Sequence, residues 1–228
     1  MELDANSVGE RMVALWGHDG LRKCPARALR DVAIPDVSQR LLIQFGLPAF
    51  WGGWAFFPDV GDNLPRLSAD RPHYRLLSGR QVSPSGLSLC LDEKRTGRVV
   101  NASQRGDEGE DFVNTDVIRF AAHLILHRKL LGEAAVLSAR IKPPSPCEPA
   151  PKRELDAYKA AVDQLLDRTE LEMRRLDPQV WGGLTGARAD FYGEEGVSRF
   201  WPCMLGDYGE YSMWSAEEVF RRWAVADG

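Results

Sequence analysis

Most of what would place this chain in a specialised class is scarce or missing. Its 228 residues include four cysteines, Cys24, Cys90, Cys147 and Cys203. No two form a Cys-x-x-Cys pair, which excludes a readable zinc ribbon or thioredoxin-type site, and the thiols are read as free in a reducing compartment. Apolar runs such as Leu124 to Leu126 fall far short of the roughly 20 residues that a membrane helix needs. Positive charge is not in excess: Lys plus Arg number 29, Asp plus Glu 33, and the formal charge is −4. That balance is wrong for a dedicated nucleic-acid binder. The opening Met1-Glu2-Leu3-Asp4 is acidic where a secretory signal is basic, so the expected location is the cytoplasm. There is no G-x-x-x-x-G-K-[ST] phosphate loop, no G-x-G-x-x-G after a strand and no G-x-S-x-G elbow. What is there is ordinary globular material, 44% hydrophobic and 27% charged, long enough for one large core without metals or disulfides.

Local signals divide the chain into helices, then strands, then helices. Ser7 and Glu10 have capping-box spacing, Met12, Val13, Leu15 and Trp16 follow, and Gly17 is a stop. Asp36 and Gln39 repeat that spacing before the stripe Val37, Leu41, Leu42 and Phe45, which Gly46 and Pro48 terminate. The aromatic run Phe50 to Phe57 reads as strand with a bend at Gly52-Gly53, and places Trp51 and Trp54 in the core, with additional partner anchors as the alternative. Strands are expected at 74–78, 87–92 and 98–103, the last two joined as a hairpin through Glu93 to Gly97. A helix over 116–131 is expected, capped by Asn114 or Thr115, with Val117, Phe120, Leu124 and Leu131 on one face. Five prolines between Pro143 and Pro151 make that stretch a linker or loop. An amphipathic helix follows over 154–176, striped by Leu155, Tyr158, Val162, Leu165, Thr169 and Met173 and ended by Asp177-Pro178. A last helix is read over Ser215 to Ala226. This order argues an α+β fold.

Candidate chemistry is thin. His123 and His127 stand four apart on a helix, but Leu124 occupies the position where a metalloprotease has its Glu, and no third ligand is indicated. They are read as core or boundary histidines. No metal, no cofactor and no catalytic residue is nominated, and Cys90 is read as a buried, inert thiol. Charge is more informative. In 104–111, Asp107, Glu108, Glu110 and Asp111 against Arg105 give −3. In 190–218, seven acids including Asp190, Glu194 and Glu195 stand against Arg199, giving −6, and Tyr208, Tyr211 and Trp214 are interleaved with them. The rest of the chain is +5. Such segments suit a basic protein partner, with charge steering the encounter and aromatics as anchors.

Three stretches resemble the SUKH superfamily of bacterial immunity proteins. Leu41-Leu42-Ile43-Gln44-Phe45-Gly46-Leu47-Pro48 is similar to a helix that ends in Gly-Leu-Pro before an aromatic strand. Leu89-Cys90-Leu91-Asp92 through Thr96-Gly97-Arg98-Val99-Val100 resembles the family's central hairpin. Phe112-Val113-Asn114-Thr115 with Phe120 resembles its entry into a helix. The resemblance covers about residues 10 to 131. It implies a curved, mostly antiparallel sheet with flanking helices, here carrying a C-terminal helical and aromatic extension. The corresponding division is a core over 1–142, a Pro-rich linker over 143–151, and a long helix with the aromatic–acidic part over 152–228. The implied function is non-catalytic: binding and neutralising a cognate toxin, such as a nuclease or deaminase, with no direct nucleic-acid or membrane partner. An adaptor of the same fold is the alternative, and a hydrolase or metal enzyme a remote one.

Overall fold

The computed structural model describes residues 3–51, 54–57, 63–66, 73–79, 89–102, 111–140, 152–181, 200–201 and 204–205. Helix α1 spans Ala5–Trp16. Its cap is Asp4, whose carboxylate accepts from the N–H groups of Asn6 at 3.0 Å and Ser7 at 2.9 Å. The capping box expected at Ser7 is therefore displaced. Asp4 already satisfies the free donors one turn earlier, and that extra turn buries Ala5 and Val8. Helix α2 spans Asp36–Gln44 with Pro35 at its cap, so Asp36 lies in the first turn rather than capping. There its charge still faces the positive helix end. Gly46 stops α2 at φ 87°, and a Cβ there would sit 2.1 Å from the carbonyl oxygen of Arg22, so the chain needs glycine twice over. At Gly9 a Cβ would meet the Phe45 ring at 2.2 Å, which is how closely α1 and α2 approach.

Every strand pairing described is antiparallel. Strand β1 (Leu21–Arg22) pairs with β2 (Leu47–Pro48). The aromatic run is a hairpin rather than one strand: β3 (Phe50–Trp51) turns back into β4 (Trp54–Phe56), with Trp51 opposite Trp54. Gly52 and Gly53 and the side chains of both tryptophans lie outside the described residues. The strand expected over 74–78 is two strands in two sheets. β5 (His73–Arg75) joins β7 (Leu89–Asp92), whereas β6 (Leu77–Gly79) joins β4. Leu76 is the junction: its N–H donates to Leu89 at 2.9 Å and its carbonyl accepts from Phe57 at 3.0 Å. The sheet thus bends at one residue into the order β3-β4-β6 on one side. On the other side the order is β5-β7-β8-β9, with β8 Arg98–Asn101 and β9 Asp111–Asn114. The β7–β8 turn is a 3-10 turn over Glu93–Arg95, capped by Asp92, with Thr96 left-handed. All four residues of β7 are buried, Cys90 included, so it lies inside the sheet with both faces covered rather than half-exposed.

Helix α3, Val117–Arg140, passes under this sheet, with Phe120 against Phe56 at 6.0 Å between ring centroids. Its cap is Asp116, which accepts from the Arg119 N–H at 2.8 Å, not Asn114 or Thr115. It runs well beyond the expected end near Leu131. A lone Gly132 followed by Glu133-Ala134-Ala135-Val136-Leu137 weakens a helix but does not end one. Nearly every residue from Val117 to His127 is buried, as befits a central helix. Helix α4, Lys152–Leu176, packs along α3 in the antiparallel sense and buries Tyr158, Val162, Leu165, Thr169 and Met173. The expected Pro-rich linker, the last helix and most of the aromatic tail lie outside the described residues.

Candidate functional site

Four segments that are distant in sequence meet around one buried amide. The end of β9 delivers Asn114, α3 delivers His123, the 3-10 turn Pro178–Trp181 that follows α4 is preceded by Asp177, and the chain returns to deliver Trp201. All four residues are at most 2% exposed. The Trp201 Nε1–H donates to the Asn114 Oδ1 at 2.8 Å. The Asn114 Nδ2 spends one hydrogen on Asp177 Oδ2 at 3.1 Å and lies 3.1 Å from His123 Nδ1. His123 Nε2 is 3.1 Å from the Met173 carbonyl oxygen, which can only accept. The proton therefore sits on Nε2, and Nδ1 accepts the second Asn114 hydrogen. Asp177 is further bound by the Thr115 N–H at 2.8 Å and the Thr115 hydroxyl at 2.6 Å. Arg119, ion-paired with Asp116, donates through Nε to the last carbonyl of α4, at Leu176.

Electrostatics agree with this geometry. Burial pushes the His123 pKa down to about 3, opposed by its bond to Met173 and assisted by the Arg119 charge. Burial, and then the Arg128 charge, push His127 down to about 4. Both rings pack on the Trp201 indole, at 5.2 Å and 6.2 Å between centroids, and Phe120 and Phe200 complete its slot. The two histidines are thus core side chains, as their spacing on an apolar helix indicates. Among the described residues no group of three His, Cys, Asp or Glu is placed to hold a metal. Burial raises the Cys24 thiol to about 12, which keeps it protonated. A cluster whose donors and acceptors are matched to one another, and which is closed to solvent, holds segments together.

The residues nominated for partner binding are not gathered by the described structure. Asp107, Glu108, Glu110, Asp190, Glu194, Glu195, Tyr208, Tyr211 and Trp214 lie outside the described residues. Asp111 is not in a loop but opens β9, where its backbone pairs with Asn101. In turn, the buried cluster escapes sequence reasoning. Asn114 imitates a helix cap and Asp177-Pro178 imitates a plain helix end, and nothing local announces that they bind each other.

The three sequence stretches singled out above are structural devices here: the Gly46 stop, the β7–β8 turn, and the β9 strand that carries Asn114 into the core. A family model described as SUKH-4 immunity protein matches residues 8–202. No curated protein and no solved structure matches the chain.

Proposed function

Because the chain belongs to the SUKH-4 immunity protein family, we propose that it binds and neutralises a cognate toxin in the cytoplasm of the bacterial cell that makes both, with no chemistry of its own. The observation that carries this reading is the extent of the match, which runs from within α1 to just beyond Trp201. The buried cluster supports it from the other side. The most elaborate polar arrangement among the described residues is satisfied internally, so activity belongs to the surface.

The toxin class is a nuclease or deaminase with a basic face. Support comes from the charge of the two acidic segments in a chain otherwise positive. A nuclease gathers cations where phosphates bind, and an acidic surface both attracts that face and competes for it. Asp107, Glu108, Glu110 and Asp111, with Asp190, Glu194 and Glu195, supply the charge. Tyr208, Tyr211 and Trp214 supply apolar anchors, each costing about 2 kcal/mol or more on truncation if it lies at the interface centre.

The test has two stages. Affinity capture from the source cell, read by mass spectrometry, recovers the partner, and co-expression asks whether this chain restores growth to cells making it. Recovery of a non-toxin protein, or a toxin whose killing is unaffected, overturns the immunity reading and favours an adaptor. Lysine at all four positions of the 107–111 set, and separately at Asp190, Glu194 and Glu195, then tests the acidic segments. The expected result is weaker binding with a flatter salt dependence. Unchanged affinity and salt slope, in variants folded by circular dichroism, removes those segments from the interface.

A further inference from the structure

The Asn114 amide is matched to its neighbours in one protonation state of His123 and not in the other. Its Oδ1 accepts from the Trp201 indole at 2.8 Å, and its Nδ2 hydrogens go to Asp177 Oδ2 and His123 Nδ1, each at 3.1 Å. On the far side of the ring, the His123 Nε2–H donates to the Met173 carbonyl at 3.1 Å. A second proton on His123 therefore enters at Nδ1, where it meets an amide N–H instead of an acceptor. Turning the amide over supplies that acceptor. It also sets the NH2 against the Trp201 N–H, donor against donor, and Oδ1 against the Asp177 carboxylate. One amide cannot serve both a protonated His123 and the indole. Trp201 is fully buried among Phe120, His123, His127 and Phe200, so an indole N–H that loses its acceptor there has no water to replace it. The sheet β5-β7-β8-β9 and the packing of α3 on α4 are built without residues 200–205.

We propose that His123 and Asn114 form a proton-operated latch: a proton on His123 Nδ1 takes the amide away from Trp201, and the indole leaves its slot while the sheet, α3 and α4 stay folded. The latch is independent of what partner the chain binds. The groups around the ring set its direction. Burial first, and then the Arg119 charge on α3, oppose the second proton, against the bond to Met173. Arg119 is itself paired with Asp116. His127, one turn along α3, packs on the same indole with the Arg128 charge beside it. From beyond α4, Asp177 reaches the ring through Asn114 and is bound by the Thr115 N–H and hydroxyl. α4 presents the Met173 carbonyl, and its Glu170 and Arg174 pair with each other. Withdrawing the indole admits water to the ring, which then takes up its proton more readily, so opening and proton uptake favour each other. Trp201 is seated at neutral pH and released in acid.

The experiment is native-state hydrogen exchange on the full chain, read by NMR at the Trp201 indole and at the backbone amides of α3, with each rate corrected for its intrinsic dependence on pH. At pH 4 an exposed ring with the ordinary value of 6.5 is protonated, whereas the seated ring, at about 3, is mostly not. Protection of the indole is therefore expected to fall about 100-fold from pH 7 to pH 4. At pH 4 it is expected to stand about ten-fold or more below that of the most protected α3 amides, because the indole leaves without global unfolding. His123→Gln keeps a donor for Met173 and an acceptor for Asn114 but does not titrate, and its fall is expected to be about ten-fold smaller or less. Equal protection of the indole and the α3 amides at pH 4 overturns the proposal, since Trp201 is then freed only when the whole chain unfolds. A fall as large in His123→Gln as in wild type also overturns it. Should that variant not fold, the wild-type comparison of indole with α3 decides alone.

Discussion

Lowering the pH from 8 to 5 should destabilise the protein through two histidines before its carboxylates are protonated. In the folded chain His123 titrates at about 3 and His127 at about 4, against 6.5 for an ordinary histidine. The unfolded chain therefore takes up protons first as pH falls. The stability due to the neutral rings is complete above about pH 6.5 and drains away as the pH drops toward the two folded values. At pH 5 the unfolded form of each ring is favoured by about 1.5 pH units of protonation, worth about 2 kcal/mol. Two fully buried rings give about 4 kcal/mol, a large share of the roughly 5–15 kcal/mol that a domain has in total. Urea melts followed by tryptophan fluorescence at pH 8, 7, 6 and 5 should show the midpoint falling with the slope of the transition unchanged. Replacing His127 by Leu should remove close to half of the pH-linked loss. His18 and His73 are present in both proteins, so the difference between them isolates the one ring. Equal pH dependence in wild type and variant, or no loss from pH 8 to 5, would refute the claim that burial holds these rings neutral.

Asn114→Leu should cost about 3 kcal/mol or more in chemical denaturation, because it leaves Trp201 Nε1, His123 Nδ1 and Asp177 each short of a buried partner; a loss below about 1 kcal/mol would mean that water replaces the amide. Trp201→Ala should cost about 3–5 kcal/mol, since it empties a slot walled by Phe120, His123, His127 and Phe200. The two helical glycines should respond in opposite directions in a thermal melt. Gly9→Ala loses about 1–3 kcal/mol by overpacking against Phe45, whereas Gly132→Ala gains about 0.5–1 kcal/mol; shifts of the same sign would contradict the packing described.

Much of this architecture could be read from the chain alone where one element carries its own signal. The helix that Gly46 and Pro48 end, the turn from Asp92 to Gly97, and the stripe from Tyr158 to Met173 all rest on interactions within about a dozen residues. Propensity, capping and periodicity act at that range. The family stretches were legible for the same reason: a stop, a turn and a strand entry keep their residues close together. Where a local signal had a competitor nearby, the reading slipped. Ser7 had the spacing of a cap, but Asp4 caps the helix one turn earlier by accepting from the N–H groups of Asn6 and Ser7.

What depended on the folded chain was pairing across long separations. Tyr74 to Ser78 has the composition of one strand. It becomes two because Leu76 bonds to Leu89 on one side and Phe57 on the other, and neither partner is announced by the alternation of side chains. Asn114 finds Asp177 across 63 residues and Trp201 across 87. Such bonds leave no periodic trace, because each polar residue is placed by the burial of its surroundings and then obliged to find a partner there.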